Sequence, residues 1–218
     1  MVTDNHYSEY HWRCPTGDGY VYHTLEMDIP QKEFENSMKR DVLRCSTVLN
    51  PAASNLIEPY DKYVQTVAHH ISEKTEGLSD HDRALAALWF VQSAIHYSSD
   101  ETLYGTDEFW AYPLETLYLH RGDCEDTAVL LCSIYSAMGI ENVLLDYDNH
   151  EAVAVLVDGE YQFCDQTCSY PADFEGTDLS YMGQEPVIHH YGDSPHHIQL
   201  LNRCIAGYRN LIYKATGA

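Results

Sequence analysis

Apolar residues recur at helical spacing in three central segments of the chain. The first segment covers residues 61–76, and the second covers residues 80–97 with apolar side chains on almost every side. The third runs from Cys124 to Met138 and ends before Gly139, a residue suited to the left-handed turn after a helix. Helices with so little polar surface are predicted to be buried.

An alternating pattern typical of strands occupies residues 18–29 and three segments after the last helix. Those three are Asn142–Tyr147, His150–Val157 and Glu160–Asp165. The Asp158-Gly159 pair between the last two is a strong signal for a β-hairpin turn. Helices followed by strands predict an α+β fold with a buried helix packed against an antiparallel sheet.

The two ends of the chain lack a clear period. Residues 1–17 are polar and are predicted to be irregular, and the core covers about residues 18–168. The extension at 169–218 begins irregular and acidic and ends in an apolar stretch, Ile198–Tyr213, predicted to be helical. A chain of 218 residues suits a single domain.

Charge excludes two classes of partner. The chain has 12 Lys and Arg against 34 Asp and Glu, a net charge of −22. Such a surface repels nucleic acid and anionic membranes and attracts cationic or amine-bearing partners. Acidity can also serve solubility alone, so it does not by itself identify a substrate.

The 7 cysteines are scattered, with no CxxC motif and no spacing of a zinc finger. Cys164 and Cys168 are close enough in sequence to form a disulfide or simply to pack at the end of a hairpin. The N-terminus lacks the basic and apolar regions of a signal peptide, and no stretch of ~18 apolar residues occurs. We therefore expect a soluble protein, cytoplasmic as given, unless the sequence is part of a longer exported one.

Cys124 lies at the start of the third helix, where Asp123 is expected to act as cap together with Asp126. The partial positive charge of a helix N-terminus favours a thiolate, and its N–H groups can receive an oxyanion. Asp123, Glu125 and Asp126 oppose this effect, because negative neighbours raise the pKa of a thiol. A nucleophilic Cys124 would therefore need a histidine partner; the alternative is a small buried residue.

The hairpin supplies that partner. Its two-residue turn fixes a register in which Ala152 lies opposite Asp165. His150 then shares a sheet face with Asp165 as a diagonal neighbour, about 7–8 Å away. Packing the Cys124 helix on this sheet would bring a nucleophile, a base and the carboxylate that orients the base together.

The chain resembles a known family in the segment YPLETLYLHRGDCEDTAVLLCSIYSAMGI, where P-x-E-T-L precedes G-D-C-E-D, and in NHEAVAVLVDGEYQFCDQT. These segments are similar to the nucleophile, His and Asp segments of the transglutaminase-like superfamily, in particular its prokaryotic and archaeal cysteine-protease type. FVQSAIHYSSD and YHTLEMDIP extend the resemblance to about residues 18–168. It implies a papain-like α+β core and a catalytic triad of Cys124, His150 and Asp165.

The same resemblance implies an oxyanion donor upstream of the nucleophile, for which Gln92 and Trp110 are candidates. Asn149 stands where relatives usually have glycine, and Glu151 where they have a small or apolar residue, so access to the site can differ. In some bacterial relatives the acids that flank the cysteine bind calcium. Asp123 and Glu125 match those acids, but two carboxylates are few for a cation that takes 6–8 oxygens.

The sequence leaves several functions open. A thioacyl intermediate on Cys124 can react with water or with an amine, and hydrolysis of a peptide or protein amide is favoured because no second domain is evident. Thiol chemistry of this kind needs no cofactor, and no metal ligand is assigned. One alternative is a catalytically silent binding or assembly module on the same fold. Another is metal binding through the histidine-rich segment at 189–197, although an exposed loop is the favoured interpretation of that segment.

Overall fold

The computed structural model describes residues 5–40, 42–45 and 53–191. Its helices are α1 (Gln31–Met38), α2 (Lys62–Lys74), α3 (Asp80–Ala94), α4 (Asp100–Leu103), α5 (Pro113–Leu119) and α6 (Cys124–Ala137). Its strands are β1 (Asn5–Thr16), β2 (Gly19–Pro30), β3 (His96–Tyr97), β4 (Arg121–Gly122), β5 (Asn142–Tyr147), β6 (His150–Val157), β7 (Glu160–Cys164) and β8 (Val187–His190). The predicted α+β class is confirmed.

The N-terminal segment corrects the expectation that residues 1–17 are irregular. β1 pairs with β2 along its whole length in an antiparallel hairpin. Tyr10, Trp12 and Cys14 alternate with exposed or partly exposed residues and are buried in the core. The period of two is present in the sequence, since the three buried residues alternate with His11 and Arg13, although the segment is polar overall.

The helices form one layer around α6. The apolar faces of α2 and α3 pack against α6, which is buried on nearly all sides. The phenol of Tyr135 in α6 donates a hydrogen bond to the carbonyl oxygen of Ala84 in α3, at 3.0 Å. α3 ends at Ala94, three residues before the predicted end, because the chain becomes extended at Ile95 to form β3.

The other layer is a four-stranded sheet in the order β7-β6-β5-β8, and α6 packs on β6 and β5. The observed register, from Val157 opposite Glu160 to Val153 opposite Cys164, confirms the predicted hairpin. Asp158 and Gly159 both have positive φ, as a tight two-residue turn requires. β8 was not predicted and adds an edge strand beside β5.

The described part of the chain contains no helix with the length and apolar character needed to cross a bilayer. Cys164 and Cys168 are free thiols, so the disulfide considered for them is not formed. The helix predicted at 198–213 and most of the histidine-rich segment lie outside the described residues.

Candidate active site

Cys124 is placed by the loop that precedes α6. Two short strands, β3 and β4, pair in parallel and put Tyr97 beside Gly122. A Cβ atom on Gly122 would lie 2.6 Å from the Cβ of Asp126, so only glycine fits this approach. Asp123 occupies the cap position but makes no capping hydrogen bond through its side chain.

The expected cap with Asp126 is also not formed. Oδ1 of this buried carboxylate instead accepts a hydrogen bond from the backbone N–H of Ala111, at 2.6 Å. Asp126 therefore ties the first turn of α6 to the segment that leads into α5. The GDCED motif serves to lock the nucleophile loop rather than to cap the helix.

Cys124 and His150, which the sequence predicts to be partners, both line one pocket. Its volume is about 320 Å³. Trp110 lies on its wall, and five carboxylates line it: Glu108, Glu125, Asp146, Asp148 and Glu151. Among the residues that the structure describes, no lysine or arginine lines this pocket. The site therefore combines a thiol and an imidazole with five acidic side chains, among which burial raises the pKa of Glu125 and of Glu151.

The imidazole of His150 lies against a pair of aromatic rings that also contact each other. Its centroid lies 4.4 Å from that of Tyr181 and 6.4 Å from that of Tyr147. Burial lowers the pKa of His150, while the charge of Asp165 acts to raise it. The Nε2 atom is buried and has no hydrogen-bond partner. A neutral ring with a buried, unpartnered nitrogen is suited to accept a proton.

Asp165 follows β7 and is oriented by its own loop. Its Oδ1 accepts hydrogen bonds from the backbone N–H of Thr167 at 2.9 Å and from the hydroxyl of the same residue. The carboxylate acts on His150 through its charge, in the sense required to stabilise an imidazolium.

The Cys124 thiol is not a thiolate in this arrangement. Its Sγ donates a hydrogen bond to Oε2 of Glu125, at 3.0 Å. Burial, and then the charge of Glu125, raise the pKa of this thiol far above its usual value. Burial, together with the flanking acids, thus outweighs the effect of the helix N-terminus on this pKa. The resting pair is a neutral thiol beside a histidine whose pKa is lowered.

Sequence reasoning missed Gln166, the residue after Asp165. Its buried side-chain Nε2 donates to the carbonyl oxygens of Cys124 at 3.0 Å and Glu151 at 2.9 Å. One amide thus joins the first residue of α6 to the residue after His150. A glutamine at the end of a strand carries no sequence signal for such a role, because both partners are distant in the chain.

The two oxyanion candidates lie in different places. Trp110 is buried on the wall of the pocket, where its Nε1 donates to Oε1 of Glu108 at 2.7 Å. Gln92 is not among the residues that line this pocket. Its Nε2 donates to the carbonyl oxygen of Asp165 at 2.8 Å, and its Oε1 accepts from the N–H of Ala172 at 2.9 Å. Gln92 therefore supports the Asp165 loop.

Residues 65–182 match a sequence family described as a transglutaminase-like domain. The match covers more than half of the chain. The chain belongs to the transglutaminase-like domain family. The resemblance identified in the sequence is thereby confirmed at the level of the family.

Solved structures similar to this transglutaminase-like domain include LapG from Legionella pneumophila. LapG is 16% identical, with a TM-score of 0.45 over 63% of this chain and 85% of LapG. EGTA-treated LapG is also 16% identical, with a TM-score of 0.44 over 66% and 86%. A proposed cysteine protease from Cytophaga hutchinsonii is 12% identical, with a TM-score of 0.40 over 87% and 75%. No curated protein sequence matches the chain.

Next to the nucleophile, this transglutaminase-like domain brings together three buried carboxylates. Asp100 joins Asp123 and Glu125, and an oxygen of each lies within 4.8 Å of the others. Oδ1 of Asp100 and Oδ1 of Asp123 have no hydrogen-bond partner. Burial, followed by neighbouring charges, raises the pKa of Asp100 to about 7 and that of Asp123 to about 8. These donors fit a hard divalent cation such as Ca²⁺, and Asp100 adds a third candidate ligand that the sequence did not indicate.

Proposed function

We propose that this domain is a thiol-dependent enzyme that cleaves amide bonds of peptide or protein substrates through a thioacyl intermediate on Cys124. The observation that carries the proposal is that Cys124 and His150 line one pocket while the charge of Asp165 acts on His150. Nucleophile, base and orienting carboxylate are the three parts that such chemistry needs.

The protonation of the resting pair determines the first step. Turning about its Cα–Cβ bond, the Cys124 thiol leaves Glu125 and approaches Nε2 of His150, which takes the thiol proton as sulfur attacks the substrate carbonyl. The carbonyl oxygen becomes an oxyanion, for which the backbone N–H groups at the start of α6 are candidate donors; the single N–H of Trp110 becomes one only if it leaves Glu108. His150 then returns the proton to the leaving amine, and water hydrolyses the thioester with His150 again as base.

A divalent cation bound by Asp100, Asp123 and Glu125 would offset the negative charge beside the sulfur. The residues of the chain still perform each proton transfer. If Glu125 bound such a cation, its carboxylate would accept a weaker hydrogen bond from the Cys124 thiol.

Acyl transfer to an amine is the second candidate, and the charge of the pocket favours it specifically. Five carboxylates surround the nucleophile, and they attract an ammonium group from the substrate or from an acyl acceptor. Hydrolysis remains the first proposal, because it needs only water and the residues of the proposed triad, with no binding site for an acyl acceptor.

Trapping of the acyl-enzyme tests the proposal. The protein is incubated with short peptide amides and esters, with and without added lysine or cadaverine, and acylated cysteines are located by mass spectrometry. We expect acylation at Cys124 that is lost in His150→Ala and retained in the control His69→Ala, whose ring is exposed on α2. Equal acylation of Cys124 without His150, or no acylation at all, would favour the binding-module alternative.

A further inference from the structure

A second cavity, of about 340 Å³, lies beside the active-site loop. Three parts of the fold enclose it: the β1–β2 hairpin, the segment from the end of α3 through β3, and residues 167–171. None of its residues belongs to the proposed triad or to the acidic pocket that holds Cys124.

Two of its walls continue into the catalytic residues. Tyr97 lines the cavity and pairs with Gly122, two residues before Cys124. Thr167 lines it on another side and is hydrogen-bonded to the carboxylate of Asp165. A chain that passes the nucleophile can therefore place a neighbouring side chain in this cavity.

The two pockets have opposite charge. Although the chain has 34 Asp and Glu, none of those in the described ranges lines the second cavity, whereas five line the pocket of Cys124. The second cavity instead contains Arg13, His11 and His96, with aromatic rings that include Trp12 and Tyr97. This distribution favours an anionic group in one pocket and a cationic group in the other.

The guanidinium of Arg13 has hydrogen-bond donors available for a ligand. Its guanidinium stacks on the ring of Tyr20, 3.9 Å from the centroid, and lies 5.1 Å from that of Trp89. Within the part of the chain that the structure describes, it forms no ion pair with a carboxylate. Its Nε is buried and has no hydrogen-bond partner. Stacking uses the face of a guanidinium and leaves its edge for a carboxylate.

We propose that this cavity binds a glutamate or aspartate side chain of the substrate, with Arg13 as the carboxylate-binding residue. The inference rests on the proposed function for the identity of the substrate, a peptide whose amide reaches Cys124. The substrate is thus a peptide with an acidic residue on one side of the cleaved bond. The pocket of Cys124 can accommodate a cationic residue of the same peptide.

Binding without turnover tests the cavity separately from the chemistry. Acetylated, amidated heptapeptides, each with one glutamate moved through the seven positions, are titrated by calorimetry into the Cys124→Ala protein. Glutamine isosteres serve as the reference. We expect at least one glutamate peptide to bind about tenfold more tightly than its glutamine isostere, as for a hydrogen bond to a charged group.

Arg13→Met should abolish this difference, Arg13→Lys should retain part of it, and the exposed control Lys32→Met should leave it unchanged. Circular dichroism and the thermal midpoint show whether Arg13→Met is folded; if it is not, the Arg13→Lys result decides. Equal affinity for both peptide series, no binding, or selectivity that persists without Arg13 would overturn the inference. If the Cys124→Ala protein bound the peptide selectively but the wild type did not cleave it, the inference about the cavity would hold and the proposed function would be rejected.

Discussion

Nε2 of Gln166 lies 3.0 Å from the carbonyl oxygen of Cys124 and donates a hydrogen bond to it. The same nitrogen donates to the carbonyl oxygen of Glu151, next to His150. One buried amide therefore bridges α6 and β6 next to Cys124 and His150. Asp165 precedes Gln166 in the chain, so this glutamine adjoins all three residues of the proposed triad.

Replacing Gln166 with Leu should weaken both catalysis and folding. Two buried carbonyl oxygens lose their donor, which we expect to cost about 2 kcal/mol of unfolding free energy. Displacement of Cys124 from His150 should lower kcat about tenfold or more, with a smaller effect on KM. Urea unfolding and steady-state kinetics measure the two effects. In the control Gln162→Leu, on the partly exposed part of β7, kcat should be unchanged. An equal fall in kcat there would mean that Gln166 does not act by positioning Cys124.

The activity should fall on acidification, with a midpoint below pH 6.5. Burial lowers the pKa of His150, and only the neutral imidazole can accept the thiol proton, so activity is present above this pKa and lost below it. Asp165→Asn removes the charge that acts to raise the pKa. We expect its acid limb to move to still lower pH while kcat falls by about 10²-fold or more. The pH profile of kcat/KM measures this, and a limb that moves to higher pH would contradict the assignment.

Calcium should stabilise the fold through the carboxylates beside Cys124. A cation that binds only the native state raises the thermal midpoint with concentration, and a chelator reverses the effect. The shift should be strongly reduced in Asp100→Asn, which retains an oxygen to accept the backbone N–H of Phe109. Glu101→Gln, at an exposed neighbour, should behave as the wild type. Scanning fluorimetry with added CaCl₂ or EGTA decides, and an equal shift in Asp100→Asn would place the cation elsewhere.

Gly122→Ala should be more damaging than its size suggests. The added methyl would meet the side chain of Asp126 at 2.6 Å and displace the carboxylate that holds the N–H of Ala111. We expect a loss of about 1–3 kcal/mol in unfolding free energy, together with a large fall in activity. The control Gly17→Ala has open space around the new methyl and no positive φ. Parallel denaturant titrations compare the two, and a tolerated Gly122→Ala would show that the loop is not held as described.

The sequence pattern correctly predicted those features of the fold that depend on residues close together in the chain. The register of β6 and β7 follows from the turn at Asp158-Gly159, and α6 follows from an uninterrupted apolar surface. What the sequence did not reveal depends on contacts between distant residues. Asp100 reaches Asp123 only through the fold, and Gln166 reaches Cys124 across 42 positions. Asp126 resembles a helix cap in sequence, but a distant backbone N–H competes for its carboxylate.

The pairing of β3 with β4 bears on how the active site forms during folding. His96 N–H donates to the carbonyl oxygen of His120, and Ser98 N–H donates to that of Gly122, both at 2.9 Å. These bonds close a loop of more than twenty residues immediately before Cys124. Closing such a loop carries an entropic cost that grows with its length. The position of Cys124 therefore depends on residues that follow α3 and α5, and a fragment beginning at Cys124 would lack the strand pairing that holds this loop.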